Sequence, residues 1–201
     1  MGASVNFLSV DVFSAFYLAV LKIIRIAMET TNERIRKEIL NRPRYSNQQF
    51  QSVLEKLKNC HIKVVMLNMF CLPQQTVTDC LDVFAIANKM KITLNVNIFV
   101  PYKGSKIFDY CSKHNLLRDD RPEGDLYISQ SYLKGEEQEK MVVLQNYTFL
   151  LNHFYFFTPL ILFLSRWRPF RRYSYQFISP INVLFMNFFQ FTGLFPFFQV
   201  V

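Results

Sequence analysis

The sequence predicts an α/β fold. About three strand–helix units form a parallel sheet, as part of a barrel or an open sheet, and an apolar helical tail follows. Three observations predict it. Apolar runs at residues 23–29, 62–70 and 92–98 alternate with amphipathic stretches of helical period, and such alternation implies a parallel sheet with right-handed crossovers. Each run ends in a short polar or Pro-bearing loop, where α/β proteins place ligands, at the carboxyl ends of strands. Composition also breaks after residue 146. All 15 acids precede that point, whereas residues 147–201 hold four Arg and 14 of the 22 Phe.

In chain order, Phe13, Phe16, Tyr17, Val20 and Leu21 recur at helical spacing, which predicts a helix over 9–22. Ile23, Ile24, Ile26 and Met28 form a β-prone run that ends at Glu29. Thr30-Thr31-Asn32-Glu33 has capping-box spacing, so a helix is expected over 30–41, stopped by Pro43. Ser46 to Gln49 is a second cap, with Phe50, Val53, Leu54 and Leu57 on one face of a helix ending near Cys60. The strand at 62–70 lacks clean alternation, as expected of a strand covered on both faces.

A helix over 76–90 should bury Val77, Leu81, Phe84 and Ala87. Ile92, Leu94, Val96 and Ile98 alternate with Thr93, Asn95 and Asn97 in a third strand. Residues 104–111 predict a short helix and 114–131 a surface loop. The organisation is therefore a half barrel over 1–113, a loop and linker helix over 114–146, and an aromatic tail over 147–201.

The tail holds two uncharged runs, 147–165 and 177–201, separated by Arg166, Arg168, Arg171 and Arg172. A spanning helix needs about 20 apolar residues. Pro159 interrupts the first run, and Pro180, Gly193 and Pro196 the second, so buried or interfacial helices rank ahead of spanning ones. A membrane surface is the partner this tail suits, and the Arg cluster reads either as a site for anionic headgroups or as a solvated turn. The net charge of +8 has no stripe at nucleic-acid spacing, and no such partner is expected. Cys60, Cys71, Cys80 and Cys111 form no CxxC pair, Cys60-His61 has no second ligand pair, and His153 lies in an aromatic run. These features predict reduced thiols, a cytoplasmic setting with or without membrane association, and no metal site. The Met-Gly start lacks the myristoylation pattern, and Asp11 breaks the apolar start that a secretory signal needs.

The three loops resemble those of radical S-adenosylmethionine enzymes. The stretch from Ala27 to Glu33 is similar to that family's GIESGNE-type segment, in the branch with an N-terminal cobalamin-binding domain. Asn68-Met69-Phe70-Cys71-Leu72-Pro73-Gln74-Gln75-Thr76 is similar to its NMFGLPGET loop, and Pro101-Tyr102-Lys103-Gly104-Ser105 to its PYPGT loop. Order and spacing agree over 23–113. The resemblance implies the second half of a partial (β/α)₆ barrel in which a [4Fe–4S] cluster cleaves S-adenosylmethionine to a 5′-deoxyadenosyl radical. The CxxxCxxC loop for that cluster is absent from this sequence, as is a cobalamin-binding domain. A missing N-terminal half or another chain would complete the barrel.

By the same resemblance, Glu29 and Thr30 would contact S-adenosylmethionine, Arg42 would support its methionine carboxylate, Gln75 would face its ribose or amino group, and Phe70 and Pro101 would flank the adenine. The loops also depart from the pattern. Ala27, Thr31, Cys71 and Gln74 stand for glycines, Gln75 for Glu and Lys103 for Pro. Loss of these glycines should crowd the adenosine pocket. The expected function is a truncated or degenerate member, inactive alone. The alternative is a non-catalytic, membrane-associated or partner-binding protein on a half-barrel scaffold.

Overall fold

The structure is a computed structural model that describes residues 2–3, 22–42, 45–119 and 130–192, with side chains for 22–42, 45–119 and 130–180. The helix expected over 9–22 lies outside the described residues, as do Pro43, most of the loop expected at 114–131, and the chain end after 192. The strands are β1 Gly2–Ala3, β2 Ile23–Glu29, β3 Lys63–Phe70 and β4 Thr93–Ile98. They pair in that order, all parallel. The three apolar runs are thus the three long strands. The two-residue β1 sets Gly2 opposite Arg25 and Ala3 opposite Ile26, and so short a piece carries no period to read.

Helix α1, Asn47–Asn59, joins β2 to β3, and α2, Val77–Met90, joins β3 to β4. Both begin in reciprocal caps. The Ser46 hydroxyl accepts from the Gln49 amide at 3.1 Å, and Gln49 Oε1 accepts from the Ser46 amide at 2.8 Å. Thr76 and Asp79 repeat the arrangement, at 3.2 and 2.8 Å. Each pair satisfies amides that no carbonyl of the helix can reach. The buried face of α2 is Cys80, Val83, Phe84, Ala87 and Met90. Val77 and Leu81, expected inside, sit at its half-buried edge.

The helix expected over 30–41 is shorter. Its regular part is one wide turn, Ile35–Ile39, closed by the Leu40 amide on the Ile35 carbonyl at 3.0 Å. The capping box does not form. Asn32 Oδ1 accepts from the Ile35 amide at 3.2 Å, while Glu33 Oε1 accepts from the Asn47 amide at 2.6 Å and so caps α1 instead. The wide turn carries Arg36 into the interior, where it is 2 % exposed.

One face of the sheet is packed. Ile24, Ile26, Met28, Val64, Met66, Phe70, Leu94 and Val96 bury against Phe50, Leu54, Leu57, Val83, Phe84 and Ala87. Full burial of each such side chain contributes about 1.5–3 kcal/mol. The opposite face is not equivalent. Val65, Leu67 and Met69 are only half-buried, so β3 does alternate, and the cover expected on both faces is full on one and partial on the other. Asn95 and Asn97 of β4 are exposed on that second face.

After β4 come α3 (Lys106–Lys113), α4 (Glu136–Asn146), α5 (Thr148–His153), a 3₁₀ turn (Tyr155–Phe157), α6 (Thr158–Leu164) and α7 (Arg168–Thr192). Met141, Leu144, Tyr147, Leu151, Ile161, Phe170 and Ile178 join the same core as the sheet. The apolar tail therefore packs on the sheet and its helices, at least through Ile178. Helix α7 runs through Pro180, which the sequence marked as an interruption. Pro169 lies in its first turn, where a missing amide hydrogen costs nothing. Among the described residues no helix is long and apolar enough to cross a membrane.

Candidate functional site

The candidate site is the carboxyl edge of the sheet. A small second core gathers there from the segments that follow the strands: Ile35, Leu72, Phe99, Cys111 and Leu133. Above it stand the three loops. β2 ends in a register shift between Ala27 and Glu29, which leaves Glu29 opposite Asn68 with φ 66°. The Glu29 side chain is 16 % exposed, and Arg42 Nε lies 3.7 Å from its carboxylate. Burial pushes the Glu29 carboxyl above its ordinary value, and Arg42 opposes that rise.

The next residues are fixed by hydrogen bonds. The Thr30 hydroxyl accepts from the Asn32 amide and from Gln75 Nε2, both at 3.2 Å. Gln75 Nε2 also donates to the Met69 carbonyl at 3.1 Å, and its Oε1 accepts from the Leu72 amide at 3.1 Å. The amide of Gln75 is thus used to clamp the β2 loop to the β3 loop. Thr31 donates to the Asp79 carbonyl at 2.8 Å, and Asn32 Nδ2 to Asp79 Oδ1 at 3.1 Å, which ties the same loop to the start of α2.

Beneath the loop lies Arg36. It donates to the Thr30 carbonyl at 2.6 Å, the Tyr45 carbonyl at 3.1 Å and Asn47 Oδ1 at 3.0 Å. Its guanidinium also sits 4.6 Å from the Tyr45 ring centroid. The Tyr45 hydroxyl in turn donates to the Ala27 carbonyl at 3.2 Å. Nothing in the sequence separates Arg36 from Arg34 and Lys37, its neighbours in one basic stretch.

Of the residues named from the sequence, Glu29 and Arg42 meet at the edge of the site. Thr30 and Gln75 meet each other. Phe70 points into the packed face and meets Phe84 edge-on, with centroids 5.9 Å apart. Pro101 is buried in the segment after β4. Besides Glu29, three sites carry left-handed backbone in these loops: Cys71 at φ 66°, Gln74 at φ 63° and Gly104 at φ 85°. Cys71 and Gln74 are two of the positions where the resembled motif has glycine.

A left-handed conformation costs an L-residue about 1–2 kcal/mol. Gln74 is exposed, and among the described residues its side chain meets only the Tyr110 hydroxyl by hydrogen bond. Gln74→Gly is therefore expected to stabilise the chain by about 0.5–1 kcal/mol, against the usual penalty for glycine. A urea titration measures it, and a lowered midpoint would count against the strain.

Cys71, Cys80 and Cys111 are buried thiols that favour the protonated form. Burial pushes Cys71 up to about 12, with Ser131 opposing, raises Cys80 well above its ordinary value, and pushes Cys111 up to about 11. No protein-family model matches this chain, and no curated protein matches it significantly.

Proposed function

We propose that the chain is the second half of a barrel of the radical S-adenosylmethionine type, and that its carboxyl edge is one wall of a site for that ligand. The observation that carries the reading is Glu29. It is a half-buried carboxylate at the end of a parallel strand, its pKa raised by burial, and it is reachable from solvent. A cationic amine placed against it would oppose the rise in its pKa and gain a charge-assisted hydrogen bond. Arg42 beside it suits a ligand carboxylate. The left-handed turns at Cys71 and Gln74 support the reading, because they keep a glycine-type loop path with other residues.

The residues present do not fit a [4Fe–4S] cluster. Its irons need thiolates held close together. Here Cys71, Cys80 and Cys111 are buried with raised pKa values, and among the described residues no three potential metal ligands come together. No radical step is assigned to this chain. Gln75 and Phe70 act in holding the loops and the core, which leaves Glu29 and Arg42 as the ligand contacts.

Isothermal titration of S-adenosylmethionine into the full chain tests this. Weak saturable binding is expected, with affinity about tenfold lower in Glu29→Gln, the effect of one charged hydrogen bond. Anaerobic reconstitution with iron and sulfide should give no stoichiometric cluster absorbance. Equal binding by the variant, or no saturable binding at all, overturns the ligand wall. A stable cluster overturns the incompetence of the chain alone.

A further inference from the structure

A second site lies away from the carboxyl edge and does not rest on the barrel reading. A cleft of ≈ 280 Å³ opens between α4 and the start of α7. Arg118, Arg168, Arg171 and Arg172 line it, with Ser131 and Glu139. Arg171 is fixed in place. Its Nε reaches Glu139 at 2.8 Å, and its Nη1 donates to the Ser165 and Arg166 carbonyls, both at 2.9 Å. Glu136 adds a longer contact to Arg171 at 3.5 Å and is held by Lys140 at 3.1 Å. The acids at the cleft are thus engaged by Arg171 and Lys140. Arg168 and Arg172 stand exposed, one turn apart on α7, with no acidic partner among the described residues. Their positive charge is therefore in excess at the cleft mouth.

The segment that leads into the cleft's arginines carries exposed apolar side chains. Phe156 is 70 % exposed, Leu160 49 %, Phe163 66 % and Trp167 61 %. They lead from the 3₁₀ turn along α6 to the turn before α7, where Arg166 and Arg168 flank Trp167 in sequence. Side chains of this size are seldom left in water together unless they meet a partner. Aromatic residues beside arginines match the two layers of a bilayer interface. Rings enter the acyl boundary while guanidinium groups hold phosphates. The absence of any acid in residues 147–201 removes the repulsion that an anionic surface would otherwise meet.

We infer that α6 and the first turns of α7 form a docking surface for an anionic lipid bilayer, with the arginine cleft taking a headgroup phosphate. The protein then lies on the membrane rather than across it. Arg171 acts as a positioning residue, because its bonds to the Ser165 and Arg166 carbonyls hold the turn that presents Trp167.

Vesicle flotation with the full chain tests the inference. The chain is expected to float with phosphatidylcholine vesicles that contain one-third phosphatidylserine, and to stay behind with phosphatidylcholine alone. Arg168→Gln with Arg172→Gln should weaken partition about 30-fold. Phe163→Ser with Trp167→Ser should abolish flotation at equal charge. Partition of the unaltered chain should fall as salt rises and the Debye length shrinks. Equal flotation on neutral vesicles overturns the headgroup site. Binding of inorganic phosphate without flotation on either vesicle overturns the membrane and leaves a soluble anion as the ligand.

Discussion

Arg36→Met is expected to lower the stability of the chain by about 4 kcal/mol, a large part of the roughly 5–15 kcal/mol that holds a typical domain together. The guanidinium is 2 % exposed and donates to Thr30, Tyr45 and Asn47. Burial pushes its pKa down from the ordinary value, while Tyr45 and Glu33 oppose the shift, so the charge is held at an energetic cost that its partners offset. Methionine fills similar space and supplies no donor. Three acceptors then lose their partner, and each buried one costs about 1–3 kcal/mol. The Thr30 carbonyl is the most exacting, because Thr30 is fully buried. Arg36→Lys should recover only part of the loss, since one ammonium cannot reach three acceptors that a planar fork spans. Urea titration reads the stability, and amide exchange at residues 30–35 reads where it is lost. A change below about 1 kcal/mol would show that the loop holds itself.

The same loop explains what the sequence could and could not reveal. The long strands were legible because Ile24, Ile26, Val64, Met66, Leu94 and Val96 keep a period that local context does not disturb. The cap at Ser46 was legible for a similar reason, as both its partners lie within four residues. Glu33 was not. Its best amide belongs to Asn47, 14 residues on, and that bond exists only once the chain has folded back. Arg36 was hidden because burial of an arginine depends on which carbonyls the fold brings to it. The fate of Phe70 follows from parity, since it shares a face with Val64 and Met66, yet its place in a loop motif drew the reading to the ligand side. Pro180 misled because a helix can pass a proline when packing supplies what the lost bond removes, and Ile178 is packed in the core. At the carboxyl edge, Glu29 and Arg42, both named from the sequence, lie 3.7 Å apart, whereas Asp79 and Tyr45 became visible only as partners.

Asn68→Leu is expected to stabilise the chain by about 2 kcal/mol. Asn68 lies on the packed face of β3 between Met66 and Phe70 and is 1 % exposed. Neither Nδ2 nor Oδ1 has a hydrogen-bond partner among the described residues. An amide in that state carries a desolvation penalty of about 1–3 kcal/mol, which an apolar side chain of similar volume removes. For a chain of this length the gain should raise the melting temperature by about 4–8 °C. Asn68→Ala separates the two contributions, because it removes the amide but leaves a cavity, and should fall below Asn68→Leu by about 2 kcal/mol. A destabilised Leu variant would mean that the amide is paired in solution. The position gives the result a second use. Asn68 is opposite Glu29 in the sheet register, yet its side chain faces the helices. Such a costly polar residue beside a ligand edge is where local rules are expected to yield to function. If the Leu variant is more stable and binds S-adenosylmethionine as the unaltered chain does, the amide serves neither fold nor ligand. If stability rises while binding falls, Asn68 shapes the strand end that presents Glu29, and the carboxyl edge gains a residue that reaches it from the packed side.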